Sequence, residues 1–136
     1  MKKEILIFRH FPTEGPGYFA RFLDRQGIPH RTIKIDEGEP VPESIADIPG
    51  LVLMGGPMSV NDPLPWIPKV LRLIRQAVAA DIPVLGHCLG GQLLSKALGG
   101  RVRGNRAKEF GWLPVMAVDS ALTSTWLNGL PPHFEV

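Results

Sequence analysis

The chain has one cysteine, Cys88, and it sits in the stretch VLGHCLGGQLL, residues 84–94. Gly86 lies two residues before it and Gly90 two residues after, with Gly91 next. An apolar, strand-like run leads directly into a helix-like run, and Cys88 falls at the junction. This G-x-C-x-G pattern has the form of a nucleophile elbow. So sharp a turn strains the nucleophile's backbone toward positive φ and projects its side chain into solvent. Flanking glycines let the neighbouring backbones approach closely. A helix starting at Leu89 favours negative charge on the sulfur and leaves N–H groups free to hold an oxyanion. A lone cysteine is more often a small buried hydrophobe, but the strand–turn–helix setting favours a nucleophile. His87 is adjacent, yet successive residues at a strand end point to opposite sides, which turns its imidazole away from the thiol. A second segment, LMGGPMSV, sets paired glycines after another apolar run and exposes backbone N–H groups at the same sheet edge. Gly56 and Leu89 are therefore the expected oxyanion donors.

These groups need a scaffold that brings them to one edge. EILIFRH, residues 4–10, reads as a buried strand. YFARFLDRQG places Phe19, Phe22 and Leu23 on one helical face, with Gly27 as the stop. HRTIKID, residues 30–36, alternates as a strand does, and an acidic, proline-rich connection with one helical turn follows. LVLMGGP, residues 51–57, reads as a buried strand running into glycines. A helix follows DPLPW with Ile67, Val70, Leu71, Ile74 and Val78 as its apolar stripe. IPVLGHC reads as another buried strand, LGGQLLSKALGG as a helix stopped at Gly99–Gly100, and WLPVMAV as a late strand. Alternating helices and near-continuously apolar strands predict an α/β fold with a parallel sheet covered on both faces. Ligands on such sheets bind beyond the carboxyl ends of the strands. RHFPTEG, MGGPMSVND and GHCLGGQ all fall there, so His10, at the end of the first strand, is a candidate pocket residue or a loop-bonding histidine.

Length and charge narrow the function classes. A chain of 136 residues suits one domain. Lysine and arginine exceed the acids by two, with no basic run beyond Lys2–Lys3, so no nucleic-acid partner is expected. Arg101, Arg103, Arg106 and Lys108 read as a solvated face. No segment approaches the roughly 20 apolar residues of a membrane span, and the start lacks the features of a signal peptide. A single cysteine suits a reducing compartment, so cytoplasmic placement is expected. Trp66, Trp112 and Trp126 read as core or helix-flank residues. No metal or cofactor is expected.

GHCLGGQLLSKALGG, preceded by LVLMGGPMSVND and followed by KEFGW, resembles the class I (triad) glutamine amidotransferase domain, and most of all its stand-alone GMP synthase-like members. The resemblance runs from EILIFRH to the end of the chain. It implies a flavodoxin-like three-layer sandwich over residues 1–136. It implies that Cys88 attacks the side-chain amide of glutamine to form a γ-glutamyl thioester, releasing ammonia for an acceptor. Gly56 and Leu89 would hold the oxyanion, and Gln92 and the Met58 backbone would bind glutamine. Glu109 of KEFGW matches a family position near the site rim and otherwise reads as a surface carboxylate. His87 and Gly91 depart from the family's usual residues at positions that do no chemistry.

The family's base and its orienting acid form a His-x-Glu pair in a loop beyond a late strand. PPHFEV offers His133 and Glu135 at that spacing, but it reads as the start of the strand rather than the loop after it. The expectation is therefore a chain lacking the family's last strand, His-x-Glu loop and helix. Such a chain would be weakly active and prone to self-association through an open edge. A synthetase partner or acceptor substrate is implied, since no nucleotide-binding loop is present. Competing readings are a γ-glutamyl hydrolase, a non-catalytic binding module of the same fold and a cysteine-based redox protein.

Overall fold

The computed structural model describes residues 3–136. The chain divides into two compact units, Met1–Val102 and Arg103–Val136.

The first unit is built on four parallel strands, β1 (Ile5–Arg9), β2 (His30–Lys34), β3 (Leu51–Leu53) and β4 (Val84–Gly86), in the order β2-β1-β3-β4. Helix α1 (Gly17–Arg25) connects β1 to β2, α2 (Ile67–Ala79) connects β3 to β4, and α3 (Leu89–Ala97) follows β4. Alternation along the strands sorts their side chains onto two faces. Leu6, Phe8, Leu51 and Leu53 face a core completed by Val70, Leu73 and Ile74 of α2 and Leu89 and Leu93 of α3. Ile7 and Val52 face a smaller core with Phe19 and Leu23 of α1. Three layers result, with the flavodoxin-like strand order, and the expected α/β class holds.

The helix stops are where the glycines predict them. At Gly27, φ is +64°, and Ile28 N–H donates back to the Leu23 carbonyl at 2.9 Å. At Gly99, φ is +90°, and Gly100 N–H donates to the Ser95 carbonyl at 2.8 Å. Both are left-handed caps that satisfy carbonyls of the last turn.

Several expectations need correction. The buried stripe of α2 is Ile67, Val70, Leu73, Ile74 and Ala77, whereas Val78 is exposed. The predicted stripe picked the larger apolar side chains; Ala77 is chosen by how closely the helix approaches its neighbours. Phe22 is likewise exposed while Leu23 is buried. Strand β3 stops at Leu53, and the helical turn expected in the proline-rich connection lies earlier, at Ile35–Glu37. Strand β4 is the last strand of its sheet rather than a fully buried one, and Leu85 is exposed.

The carboxyl end of β1 is tied to the segment after β2. Arg9 donates from Nε and Nη2 to the two Asp36 carboxylate oxygens at 2.9 and 2.7 Å, and Nη2 also reaches Glu37. The Arg9 hydrogen bonds hold the Asp36 carboxyl below the usual carboxylate range.

The second unit holds strand β5 (Pro114–Met116), helix α4 (Ala121–Trp126) and strand β6 (His133–Glu135). Strands β5 and β6 pair antiparallel as a two-stranded ribbon, so the late strand does not extend the parallel sheet. Ser120 caps α4, its hydroxyl accepting from Thr123 N–H at 3.1 Å. Trp112 and Trp126 are exposed, not core residues. The basic stretch from Arg101 through Lys108 is solvated, as predicted.

Candidate active site

Cys88 sits between β4 and α3 with φ 54° and ψ −112°, a conformation that L-residues rarely adopt. Its thiol is exposed. The chain is forced into this conformation from both sides. His87 N–H donates to the Leu53 carbonyl at 2.9 Å, holding the end of β4 against β3. Gly91 and Gln92 N–H groups both donate to the Cys88 carbonyl, at 2.9 and 3.2 Å, starting the helix at once. The turn has no room for side chains on its flanks. A Cβ at Gly86 would lie 2.5 Å from the Gly90 carbonyl oxygen, and one at Gly90 would collide with the Leu53 carbonyl oxygen.

Leu89 is fully buried, yet among the described residues its backbone N–H donates to no main-chain or side-chain acceptor, and neither does that of Gly56. The space at Gly56 is bounded by the Met58 sulfur, a Leu89 methyl and the His10 Cβ, at 2.5, 3.2 and 3.7 Å from an added Cβ. Four sequence-predicted residues, Gly56, Met58, Leu89 and His10, thus converge at the carboxyl ends of β1 and β3. Gln92 holds the same loop: its Oε1 accepts from Val60 N–H at 3.4 Å. Lys96, four residues further along α3, donates to the Val60 carbonyl at 3.1 Å and to Asn61 Oδ1 at 2.9 Å. Lys96 and Asn61 were not singled out in the sequence, although the i, i+4 spacing from Gln92 to Lys96 places both on one helix face. A cleft of about 500 Å³ is lined by Val60, Leu64, Ile67, Leu71 and Lys96 and by none of Cys88, Gly56 or Leu89.

His10 is buried, 2% exposed. Its Nδ1 donates to the Met54 carbonyl at 3.0 Å, and its ring stacks on Trp66 with centroids 4.8 Å apart. Nε2 has no protein partner among the described residues. The imidazole is therefore a neutral loop-bonding group, and burial pushes its pKa below the ordinary value against the opposing effect of the Met54 bond. The unfolded chain takes up a proton below about pH 6.5 that the folded chain resists, so stability present above that pH is lost as pH falls. The unfolding free energy is expected to fall toward pH 5 by up to about 1.4 kcal/mol per pH unit from this group. Urea unfolding of His10→Phe at the same pH values should show a flatter acid limb.

His30 lies at the amino-terminal start of β2, where its Nδ1 meets the Ile28 carbonyl, while Cys88 follows the carboxyl end of β4. His87 is exposed beside the nucleophile. Glu109, His133 and Glu135 belong to the second unit. Glu109 accepts from Asn105 Nδ2 at 3.0 Å, and His133 and Glu135 are exposed residues of β6 opposite Met116 and Pro114.

Glu14, in the loop after β1, was also not singled out in the sequence. An added Cβ at Gly55 would lie 2.8 Å from Glu14 Oε2 and 3.4 Å from Cys88 Cβ, so the carboxylate and the nucleophile flank the same glycine.

An exposed cysteine at a strained strand–helix turn, beside unpaired backbone N–H groups on a parallel α/β sheet, defines a cysteine-dependent acyl-transfer class of site. The family description "Glutamine amidotransferase class-I" matches residues 20–135, and the chain belongs to that family. A glutamine amidotransferase crystal structure from Methylobacillus flagellatus superposes with a TM-score of 0.92 at 43% identity, covering 100% of this chain and 54% of that one. The glutamine amidotransferase-like protein YfeJ of Salmonella typhimurium is 30% identical over 118 residues, 83% of this chain and 49% of its own. A glutamine-hydrolyzing GMP synthase of Sulfolobus acidocaldarius, made of separate subunits, has one that is 36% identical over 96 residues, 68% of this chain and 46% of its own. The chain thus spans about half the length of these relatives.

Proposed function

We propose that the chain carries the glutaminase half-reaction of an amidotransferase. The Cys88 sulfur attacks the side-chain amide carbon of glutamine, and the resulting oxyanion is held by the N–H groups of Gly56 and Leu89. The C–N bond breaks, ammonia leaves with an added proton, and water splits the γ-glutamyl thioester to glutamate. Each oxyanion donor is worth about 3 kcal/mol in such a reaction. Gln92 and Met58 border the glutamine, with Gln92 also holding the loop that carries Met58. Ammonia passes to an acceptor on a synthetase partner, in keeping with the naming of the Sulfolobus relative as one subunit of its synthase, in a reducing compartment such as the cytoplasm. The observation that carries this reading is the Cys88 backbone at φ 54°, held there with its thiol exposed at the start of α3.

The glutamine-like electrophile 6-diazo-5-oxo-L-norleucine should modify Cys88 at one equivalent per chain by intact mass and peptide mapping, and glutamine should protect it. An unmodified Cys88 under conditions where iodoacetamide alkylates it would sink the proposal. Ammonia release from glutamine by His133→Ala tests the remaining assignment: loss of wild-type turnover would make His133 the base.

A further inference from the structure

The loop RHFPTEG places a carboxylate where the reaction above does not need one. Glu14 is held in a turn by its own N–H, which donates to the Phe11 carbonyl at 3.0 Å. Its side chain is half-buried and reaches Gly55, where an added Cβ would meet Oε2 at 2.8 Å and the Cys88 Cβ at 3.4 Å. Any larger residue at position 55 would displace the carboxylate, so Gly55 keeps its place open. Among the described residues, Glu14 has no salt-bridge partner. Arg9, the nearest cation along this segment, is committed to Asp36 and Glu37. The remaining ion pairs, Lys3–Asp47, His30–Asp24, Arg31–Glu4 and Lys34–Glu37, also leave Glu14 aside.

An unpaired carboxylate beside a sulfur nucleophile is unfavourable as soon as the sulfur ionises, because the like charges repel. It cannot serve as the thiol's base, since a carboxylate is a far weaker base than a thiolate. It does suit a cation brought in by the substrate. In extended glutamine the α-nitrogen lies about 5 Å from the amide carbon, by ordinary bond lengths. A carboxylate flanking the residue beside the nucleophile is within that range. The charge-assisted hydrogen bond would then form only when the substrate is an amino acid.

We infer that Glu14 is a specificity-determining residue that binds the α-ammonium group of the amino-acid amide, selecting it over amides lacking that charge. This rests on the glutaminase reading of the same site. Glu14 acts on substrate choice, while the sulfur and the Gly56 and Leu89 N–H groups act on the amide.

The test compares two electrophiles on the full chain, 6-diazo-5-oxo-L-norleucine and its des-amino analogue 6-diazo-5-oxohexanoate. Second-order rates of Cys88 modification are read by intact mass for wild type and Glu14→Gln. Wild type should prefer the amino compound, and Glu14→Gln should cut that preference at least about tenfold by slowing the amino compound alone. An unaltered rate with iodoacetamide would show that the thiol itself remains intact in the variant. Equal slowing of both diazoketones, or an unchanged preference, would overturn the inference while leaving the glutaminase reading standing. Failure of both to label wild-type Cys88 while iodoacetamide does would overturn that reading and this inference with it.

Discussion

Gly90→Ala is expected to destabilise the first unit by roughly 3 kcal/mol, the upper end of the range for overpacking. The new Cβ would collide with the Leu53 carbonyl oxygen and lie 2.7 Å from its carbon and 2.8 Å from the Leu53 Cβ. Two of those three atoms are backbone of β3, so no rotamer change relieves the clash; α3 and β3 must part. Parting them exposes Leu89 and Leu93, both fully buried against that sheet face. Alanine's better helix propensity, about 1 kcal/mol, offsets only part of the loss. Gly91→Ala is the control. Its nearest contact would be the Gly86 carbonyl oxygen at 3.7 Å, an ordinary van der Waals distance, so that variant should be neutral or slightly more stable. Urea unfolding of the two variants beside wild type checks both; equal midpoints for Gly90→Ala and Gly91→Ala would show that the close approach of α3 to β3 is not real.

Cys88→Gly should divide stability from chemistry. A non-glycine residue at φ 54°, ψ −112° stores about 1–3 kcal/mol of backbone strain, which glycine relieves. Glycine gives back about 0.5–1 kcal/mol through the added freedom of the unfolded chain. The exposed thiol contributes little packing. A net gain of about 1 kcal/mol is expected, together with a loss of about 1,000-fold or more in glutamine hydrolysis as the nucleophile disappears. Cys88→Ala should lose the same activity without the gain, because alanine keeps the strained backbone. Thermal or urea unfolding, paired with an ammonia-release assay, separates the two variants. If Cys88→Gly proved no more stable than Cys88→Ala, no strain would be stored at the elbow.

Much of the first unit was legible in the sequence because its signals are local. The apolar runs at ILIFR and LVL, the glycine stops at Gly27 and Gly99, and the Cys88 junction each depend on neighbours within a few residues. Glycines two before and two after the cysteine are enough to predict a sharp turn, since few other patterns tolerate one. The convergence of Gly56, Met58 and Leu89 was legible for a related reason: parallel strands put all their following loops at one edge.

Other features were hidden because they depend on partners far away in the chain. The α2 stripe was misread at Leu71 and Val78, since burial of Ala77 is decided by the elements packed around it rather than by its own hydrophobicity. Leu85 looked buried because an apolar strand at the end of a sheet reads like one in its middle. The late run WLPVMAV looked ready to join the parallel sheet, but three apolar residues do not encode the direction of pairing, and the partner is β6. His10 was ambiguous until the Met54 carbonyl and the Trp66 ring were seen to close around it.

The sequence alone determined the chemistry available at this site: one thiol, the glycines that let a strand turn into a helix beneath it, and open N–H groups beside it. These are properties of short segments, and short segments carry their own steric rules. Only the tertiary structure decided what surrounds that thiol. The adjacency of β1, β3 and β4 brings Glu14, Gly55 and Cys88 together from positions 14, 55 and 88, and packs Gly90 onto Leu53. Such neighbours are chosen by strand order, which is set by the burial of two faces at once and not by any residue near the cysteine.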